Sequence, residues 1–284
     1  MIGRPENAEA NRLAWLRALQ AQLRLREAYG VADEVASESG DSVDLFRALL
    51  SLNLMSAFFQ QDFLAAFAAR IDASGDWVVA LQRLTMDGLR EGLQNRMPLT
   101  WSSRDSKVSN ITGWTVTASE PAGNPRMASA ILDFWTYDLV ATAERLQRKE
   151  PGLQPHLFER PVLKFGATLV QLPWVVGVQN NTTAAINNLR RLGQRRGQAR
   201  DEARRIEAGL AGLFEKRGFR TLLNWVPPRD VEDAGEVDLI ATLDGHLFVI
   251  EVKSTFMRRS QREAWLHATT TLRKAGDQLR RKVE

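Results

Sequence analysis

Apolar residues recur every three or four positions through much of the first two-thirds of the chain, which is the spacing of helices that bury one face. Leu13, Leu16, Leu19 and Leu23 form one such series, with arginines between them. The next series is apolar around most of its circumference, so we expect that helix to be buried. The predicted helices cover residues 7–29, 43–71, 77–94, 128–149 and about 182–193.

Two stretches of the same part of the chain lack helical spacing. Residues 101–127 are rich in Ser, Thr, Gly and Pro and predict an irregular loop region, with one short strand in GWTVTAS. Residues 161–179 hold short β-rich runs around Gly166 and predict a hairpin. We therefore expect residues 1–195 to form a mainly α-helical domain with a short β-hairpin, and the sharp change of composition in RRLGQRRGQARDEARR places the domain boundary near residue 195.

Strand spacing replaces helical spacing beyond that boundary. Residues 219–226, 236–243 and 246–255 alternate like strands, and the last two are joined by the turn sequence Asp244-Gly245. Helical patterns precede and follow them at residues 200–217 and 261–282. The predicted order for residues 196–284 is α-β-β-β-α, so the fold class is an α/β domain preceded by a mainly helical one.

Composition places the chain among soluble globular proteins. Its longest apolar runs, LMSAFF and LPWVVGV, are far short of a membrane span, and the first residues lack the apolar stretch of a signal peptide. The absence of cysteine excludes disulfides and thiolate metal sites and fits a reducing compartment. The sequence therefore predicts a cytoplasmic protein without a membrane partner.

Three charged side chains stand where a buried strand would keep apolar residues. They are Asp238 in the first strand of the hairpin and Glu251 and Lys253 in the second. Residues two apart share a face of a strand, so Glu251 and Lys253 project together, and pairing through the turn brings Asp238 near Glu251. Two close carboxylates repel each other unless a cation lies between them, and Mg²⁺ prefers such hard oxygen ligands. A solvent-facing hairpin with an ordinary surface ion pair is the alternative.

The stretch GEVDLIATLDGHLFVIEVKS, residues 235–254, resembles the active-site hairpin of the PD-(D/E)xK nuclease superfamily, whose members share the restriction-endonuclease-like fold. Its GEVD form, with Val237 in place of the motif proline, is most similar to the Holliday-junction-resolvase-like and Mrr-like branches. The resemblance covers about residues 200–284. The family's core continues into another strand after the last helix, so we expect that strand to be missing from a truncated or partial sequence, or supplied by another segment.

The resemblance implies a role for each residue that matches the motif. Asp238 matches the first acid, and Glu251 and Lys253 match the E-x-K element. Asp238 and Glu251, with the backbone carbonyl of Val252, would bind Mg²⁺, for which Mn²⁺ would substitute. Lys253 would position or activate the attacking water.

Two further positions match the family on neighbouring helices. Glu207 matches the acid that many members carry near the metal on the first core helix, and it would join the metal ligands. Gln278 matches a helical glutamine that follows E-x-K in several branches. Glu236 shares a face with Asp238 and would substitute for it as a ligand.

Positive charge is concentrated in the part of the chain that carries these motifs. Residues 190–284 hold 20 Lys/Arg against 14 Asp/Glu, whereas residues 1–189 hold 18 against 20. Clustered positive charge attracts polyanions, and arginines beside the motifs would contact phosphates without reading sequence. A solvated helix face is the alternative. The candidate nucleic-acid-binding residues are Arg195, Arg196, Arg200, Arg204, Arg258, Arg259 and Arg262.

The leading functional expectation is a Mg²⁺-dependent endonuclease that hydrolyses DNA, with RNA left open as a substrate. Residues 1–195 would act as a sensor, oligomerisation or target-selection module, and a role in restriction or anti-phage defence follows by analogy with other fused nuclease domains. A homo-oligomer and other defence-system proteins are the expected partners. A repair or recombination nuclease, and a catalytically inactive nucleic-acid-binding module, are the alternatives.

Overall fold

The computed structural model describes residues 5–29, 33–37, 40–92, 97, 99–149, 157–195, 199–227, 235–253, 258 and 260–283. The protein is mixed α/β, with helices predominating over small sheets, as the sequence predicted. It divides into two compact units. The first comprises residues 1–23 and 32–188, and the second comprises residues 24–31 and 189–284. The division after residue 188 lies a few residues before the predicted boundary near 195.

Helices make up most of the first unit. A π-helical segment, Gln60–Ala65, joins α2 to α3, so these elements follow one another without a loop. Asp44 caps α2 by accepting a hydrogen bond from the backbone nitrogen of Arg47 at 2.8 Å, as an N-cap carboxylate does. The helices are α1 (Ala8–Tyr29, of which residues 8–23 belong to this unit), α2 (Leu45–Phe59), α3 (Ala66–Ser74), α4 (Trp77–Glu91), α5 (Arg104–Thr112), α6 (Pro125–Trp135), α7 (Leu139–Gln147), α8 (Pro173–Val178) and α9 (Asn181–Arg195, of which residues 181–188 belong to this unit).

The buried face of α1 differs from the face that its leucines suggest. Leu16 and Leu23 are about half exposed, whereas Ala14 and Ala18 are fully buried. Ala14 belongs to a buried cluster with Leu54 and Phe58 of α2. Small side chains let the two helices approach closely, so the alanine face packs and the leucine series lies outside. Burial of α2 agrees with the prediction, but α3 buries none of its residues.

Two sheets accompany these helices. A two-stranded sheet pairs β1 (Glu34–Ala36) with β2 (Ser42–Asp44). The larger sheet contains β3 (Thr100–Ser103), β4 (Thr136–Asp138), β5 (Val162–Phe165) and β6 (Thr168–Gln171). Its strand order is β3-β6-β5-β4, with β4 parallel to β5 and the other pairs antiparallel. The predicted hairpin is β5-β6, and it forms the middle of this sheet.

The predicted loop over residues 101–127 is wrong for its first half. Residues 100–112 form β3 and α5, while GWTVTAS forms no strand. Ser103, one of the residues that suggested a loop, caps α5, since its hydroxyl accepts a hydrogen bond from the backbone nitrogen of Ser106 at 3.3 Å. The Arg104 guanidinium then bonds both carboxylate oxygens of Asp133 on α6, at 2.5 and 2.8 Å. A tertiary ion pair thus anchors a segment whose local sequence favours turns.

The predicted helix over residues 128–149 is interrupted by β4. Thr136 and Tyr137, residue types that favour strands, lie at the break and are both buried. Asp138 then caps α7 by accepting from the backbone nitrogens of residues 140 and 141. The apolar spacing continued across the strand, so periodicity alone did not reveal it.

The second unit has the predicted order α-β-β-β-α in its described residues. Its strands form one antiparallel sheet in the order β7-β8-β9. Asp244 and Gly245 join β8 to β9 with φ angles of 50° and 77°, which is the conformation that a two-residue hairpin turn requires. The elements are α10 (Ala199–Glu215), β7 (Arg220–Trp225), β8 (Val237–Leu243), β9 (His246–Ile250), α11 (Gln261–Leu266) and α12 (Arg273–Val283), with a π-helical segment, His267–Leu272, between the last two.

One face of this sheet is turned toward α10. Leu239 and Ala241 are fully buried on β8, and Ala241 pairs with Phe248 on β9. The Phe248 ring meets Phe219 edge-on, and Phe219 meets Phe214 of α10 in the same way. Burial therefore alternates along β8 as predicted, whereas along β9 residues 246–248 are all exposed and only Val249 and Ile250 are half-buried. Strand β9 ends at residue 250, however, so the E-x-K element follows the strand instead of lying within it.

Candidate functional site

The hairpin brings the first motif acid to the E-x-K element, as predicted. Leu239 pairs with Ile250 in the β8-β9 ladder, and extending that register by one step sets Asp238 opposite Glu251. The backbone nitrogen of Val252 donates a hydrogen bond to Oδ2 of Asp238 at 2.7 Å. This bond fixes the chain just beyond β9 against the acid on β8. The role of the Val252 carbonyl as a metal ligand stays a prediction.

Glu251 is held between two lysines. Lys253 donates to its Oε1, and Lys282 of α12 donates to its Oε2 and also to the backbone carbonyl of Glu236. The side chains of Glu251 and Lys282 are 6% and 4% exposed, whereas that of Lys253 is 31% exposed. Burial raises the pKa of Glu251, but the lysine hydrogen bonds outweigh burial and hold the pKa below its ordinary value. Glu251 is therefore an ionised, buried carboxylate with two cationic partners.

Glu207 lies on α10 beside these acids, and only 7% of it is exposed. Burial raises its pKa above the ordinary value, and the carboxylates of Asp238 and Glu236 raise the pKa further. Arg204, one helical turn earlier, opposes that rise, and Glu251 adds to it. Burial and the neighbouring carboxylates therefore act on the pKa of Glu207 in the same direction.

Asn224 links two of these acids from the neighbouring strand. Its φ angle is 51°, a left-handed conformation that Asn tolerates better than most residues but that is unusual within a strand. With its amide assigned so that the nitrogen faces the acids, it donates to Glu207 Oε2 at 3.2 Å and to Glu236 Oε1 at 3.0 Å. A strained residue is thus placed where its side chain bridges α10 and the start of β8.

Gln278 of α12 is connected to the site through a groove that it shares with Lys253. Lys253, Thr270, Thr271, Lys274 and Gln278 together line an open groove of about 370 Å³. The side-chain oxygen of Gln278 is buried and has no hydrogen-bond partner among the described residues. Gln278 therefore shares the groove with Lys253.

The candidate arginines divide into several cases. Arg204 is exposed on α10 near Glu207, and Arg262 is exposed on α11. Arg258 approaches the Nδ1 atom of His267 at 2.7 Å. The side chains of Arg195 and Arg200 and the whole of Arg196 and Arg259 lie outside the described residues, so their predicted phosphate contacts stay predictions.

One further arginine of the positively charged part of the chain, residues 190–284, has a structural partner. Arg190 is 11% exposed in its side chain, and it donates from Nε to Glu202 at 3.0 Å. This ion pair joins α9 to α10 in the second unit. Part of the positive charge that the sequence attributed to nucleic-acid binding therefore stabilises the fold.

The oxygen ligands at the site fit Mg²⁺ better than a softer metal. Asp238, Glu251 and Glu207 offer carboxylates, and no Cys exists in the chain to provide a thiolate. Among the described residues, no group of three or more His, Cys, Asp or Glu is arranged to hold a metal as it stands. Mg²⁺ usually takes only one or two carboxylates and keeps several waters, so the Asp238 and Glu251 pair suffices in ligand type.

Sequence reasoning missed two residues of this group. Lys282 lies four positions after Gln278, so helical spacing alone would have placed both on one face of α12. No local signal points to Asn224, because its position depends on the pairing of β7 with β8 and on a backbone angle.

Comparison of the chain with protein-family models, with curated proteins and with solved structures gave no match. Within the described residues, none of the helices combines the length and the apolar character that crossing a bilayer requires. The function of the chain is therefore inferred from the geometry of the site and from the motif in the sequence.

Proposed function

We propose that the second unit is a Mg²⁺-dependent nuclease that hydrolyses phosphodiester bonds of DNA. The observation that carries the proposal is geometric: Asp238 accepts a hydrogen bond from the backbone of Val252 at 2.7 Å, Glu251 accepts from Lys253, and Asn224 links Glu207 to Glu236 at the start of the same hairpin. Close carboxylates next to a lysine are the residue types that hydrolysis of a phosphodiester requires. Their match to the GEVD and E-x-K motifs of the PD-(D/E)xK superfamily supports the same assignment.

Each side chain has a definite task in this proposal. Asp238 and Glu251 would hold Mg²⁺, with Glu207 near it, and the bound ion would polarise the phosphate and lower the pKa of a water molecule. Lys253 is the more exposed of the two lysines on Glu251 and lines the groove. It would donate to a phosphate oxygen or hold the attacking water. Gln278, which lines the same groove, would orient the substrate.

The first unit would select the target or assemble the protein, and the whole chain would act in restriction or anti-phage defence. This part of the proposal rests on the division into two units and on analogy with other nucleases that are fused to helical modules. A nuclease of DNA repair or recombination would use the same chemistry and differs only in its substrate.

The proposal is tested by incubating the purified protein with linear, circular, single-stranded and branched DNA and with RNA, in Mg²⁺, Mn²⁺ or EDTA. We expect cleavage of at least one DNA substrate that depends on the metal. Asp238→Asn and Lys253→Ala should each lower the rate by at least about a hundredfold, the usual contribution of one such group.

Asp244→Asn is the matched control, because it removes a carboxylate from the same hairpin and Asn tolerates the left-handed turn equally well. Its cleavage rate should equal that of the unaltered protein. If every substrate stays intact while DNA is still retarded in a gel, the chain is a binding module and the nuclease proposal fails. Cleavage that survives both site substitutions would reject the assigned residues.

A further inference from the structure

The groove beside Lys253 is lined by residues other than the carboxylates of the hairpin. Lys253 forms one wall just after β9, and the other wall comes from the last helical segment of the chain. Thr271 is half-buried there, and Lys274 is exposed. The volume of about 370 Å³ exceeds the needs of one water or one metal ion. The groove can therefore accept a ligand larger than the proposed reacting group.

The π-helical segment explains why one helix provides so many lining residues. Thr270 and Thr271 both lie in it, and both line the groove although they are consecutive. Consecutive residues of an α-helix point about 100° apart, whereas the wider π turn changes the direction of the side chains. Lys274 and Gln278 then follow at a spacing of four and continue the same line. Single turns of π-helix within α-helices are frequent at functional sites.

The lining residues favour an anionic ligand. Lys253 and Lys274 contribute two ammonium groups, Thr271 a hydroxyl and Gln278 an amide, and no acidic residue is among the five that line the groove. The buried, unpartnered oxygen of Gln278 accepts hydrogen bonds, so it suits a ligand that also carries donors. A nucleic-acid strand has both features, since its phosphates are anionic and its bases and sugars carry N–H or O–H groups.

We infer that this groove binds the backbone of one nucleic-acid strand next to the phosphate that reacts, with Lys274 and Thr271 as phosphate contacts. The inference rests on the proposed function only in placing the reacting phosphate at Lys253. Lys274 lies three to four residues from the threonines and from Gln278, so one strand running along the helix meets these donors in succession. Arg280, exposed on the same helix, does not line the groove.

The test is equilibrium binding of a fluorescent oligonucleotide in EDTA, where no cleavage occurs. Lys274→Ala should weaken binding about tenfold, as loss of one charge-assisted hydrogen bond does. The slope of log affinity against log salt should fall by about 0.7 for a single strand or about 0.9 for a duplex. Arg280→Ala removes the same charge from the same helix and should change affinity by less than about threefold. Charge reversal in Lys274→Glu and in Arg280→Glu should increase the difference in affinity between the variants at these two positions.

Three results would overturn the inference: equal losses in the Lys274 and Arg280 variants, no loss in either, or a groove that binds inorganic phosphate but no oligonucleotide. DNA and RNA oligonucleotides are compared to identify the strand. Because binding is measured without catalysis, a protein that binds through Lys274 but cleaves nothing would refute the nuclease proposal and leave this inference intact. If the protein cleaves DNA but Lys274→Ala binds the oligonucleotide with unchanged affinity, the inference fails and the nuclease proposal stands.

Discussion

Replacement of Lys282 by Met should destabilise the second unit more than any other single change at the lysines of this site. Lys282 is 4% exposed and pairs with Glu251, which is 6% exposed, and its ammonium group also satisfies the carbonyl of Glu236. Removing one partner of a buried pair leaves the other charge uncompensated and typically costs about 3–5 kcal/mol. Lys253 still contacts Glu251 in the variant, so we expect a loss near the lower end, about 3 kcal/mol.

Lys253→Met is the matched control for this prediction. It removes the same charge from the same carboxylate, but the Lys253 side chain is 31% exposed, so solvent screens the pair. Its loss should be about 1 kcal/mol or less. Both lysines donate to Glu251, so the contrast between them depends on burial and on the additional bond from Lys282 to the Glu236 carbonyl.

Hydrogen exchange measured by mass spectrometry is the suitable assay, because it reports the opening free energy of β8, β9 and α12 separately from the first unit. Lys282→Met should accelerate exchange in these elements and leave α2 unchanged. Adding Glu251→Gln to Lys282→Met should recover much of the loss, since removal of both partners of a buried pair is far less costly than removal of one. A loss below about 1 kcal/mol in Lys282→Met, or simple additivity in the double variant, would refute the reasoning.

Three further predictions concern the same group of acids. The raised pKa of Glu207 means that the folded state binds the proton of this side chain more tightly than the unfolded state does, so stability falls as pH rises from about 4.3 through the raised pKa. Glu207→Gln should therefore flatten this part of a curve of stability against pH and stabilise the protein at neutral pH. An unchanged curve would contradict the assignment. Mg²⁺ at one hundred times its Kd should add about 2.7 kcal/mol to the free energy of unfolding and so raise the melting temperature, and Asp238→Asn should abolish the rise. Equal rises in both proteins would place the metal elsewhere. Asn224→Asp keeps the left-handed backbone but adds a carboxylate between Glu207 and Glu236, so chemical denaturation should show a loss of stability of about 1–3 kcal/mol at pH 7 that becomes smaller near pH 4. A loss of stability that does not depend on pH would instead be due to backbone strain.

The second unit could be predicted from the sequence because its signals are local. Asp244-Gly245 favours a tight hairpin turn, and the alternation on either side sets which residues share a face. Register then follows from the turn, so Asp238 and Glu251 could be placed opposite each other without a structure. The strand end at residue 250 was not predicted, because the alternation of apolar residues continues through Val252.

The first unit was predicted less well because tertiary contacts decide its elements. Arg104 of α5 forms an ion pair with Asp133 on another helix, and Tyr137 lies in β4, which pairs in parallel with β5. Neither partner is near in sequence, so composition suggested a loop in one case and an uninterrupted helix in the other. The alanine face of α1 is buried for a similar reason, since packing against Leu54 favours small residues there over leucines.

The candidate site residues also differ in whether the sequence could identify them. Asp238, Glu251 and Lys253 could be named because one hairpin carries them, and Glu207 and Gln278 because the motif resemblance extends to the flanking helices. Lys282 and Asn224 were missed because no motif marks them and because their contacts cross between elements. Buried charge partners of this kind are found by asking what neutralises a buried carboxylate, which requires the structure.

The most direct measurement for the central claim is the rate of DNA cleavage by the unaltered chain and by Asp238→Asn, purified in parallel and assayed with Mg²⁺ and with EDTA. The proposed function predicts cleavage by the unaltered chain in Mg²⁺, none in EDTA, and a rate at least about a hundredfold lower for Asp238→Asn in Mg²⁺. Equal rates in the two proteins, or cleavage that persists in EDTA, would contradict a metal-dependent reaction at these carboxylates.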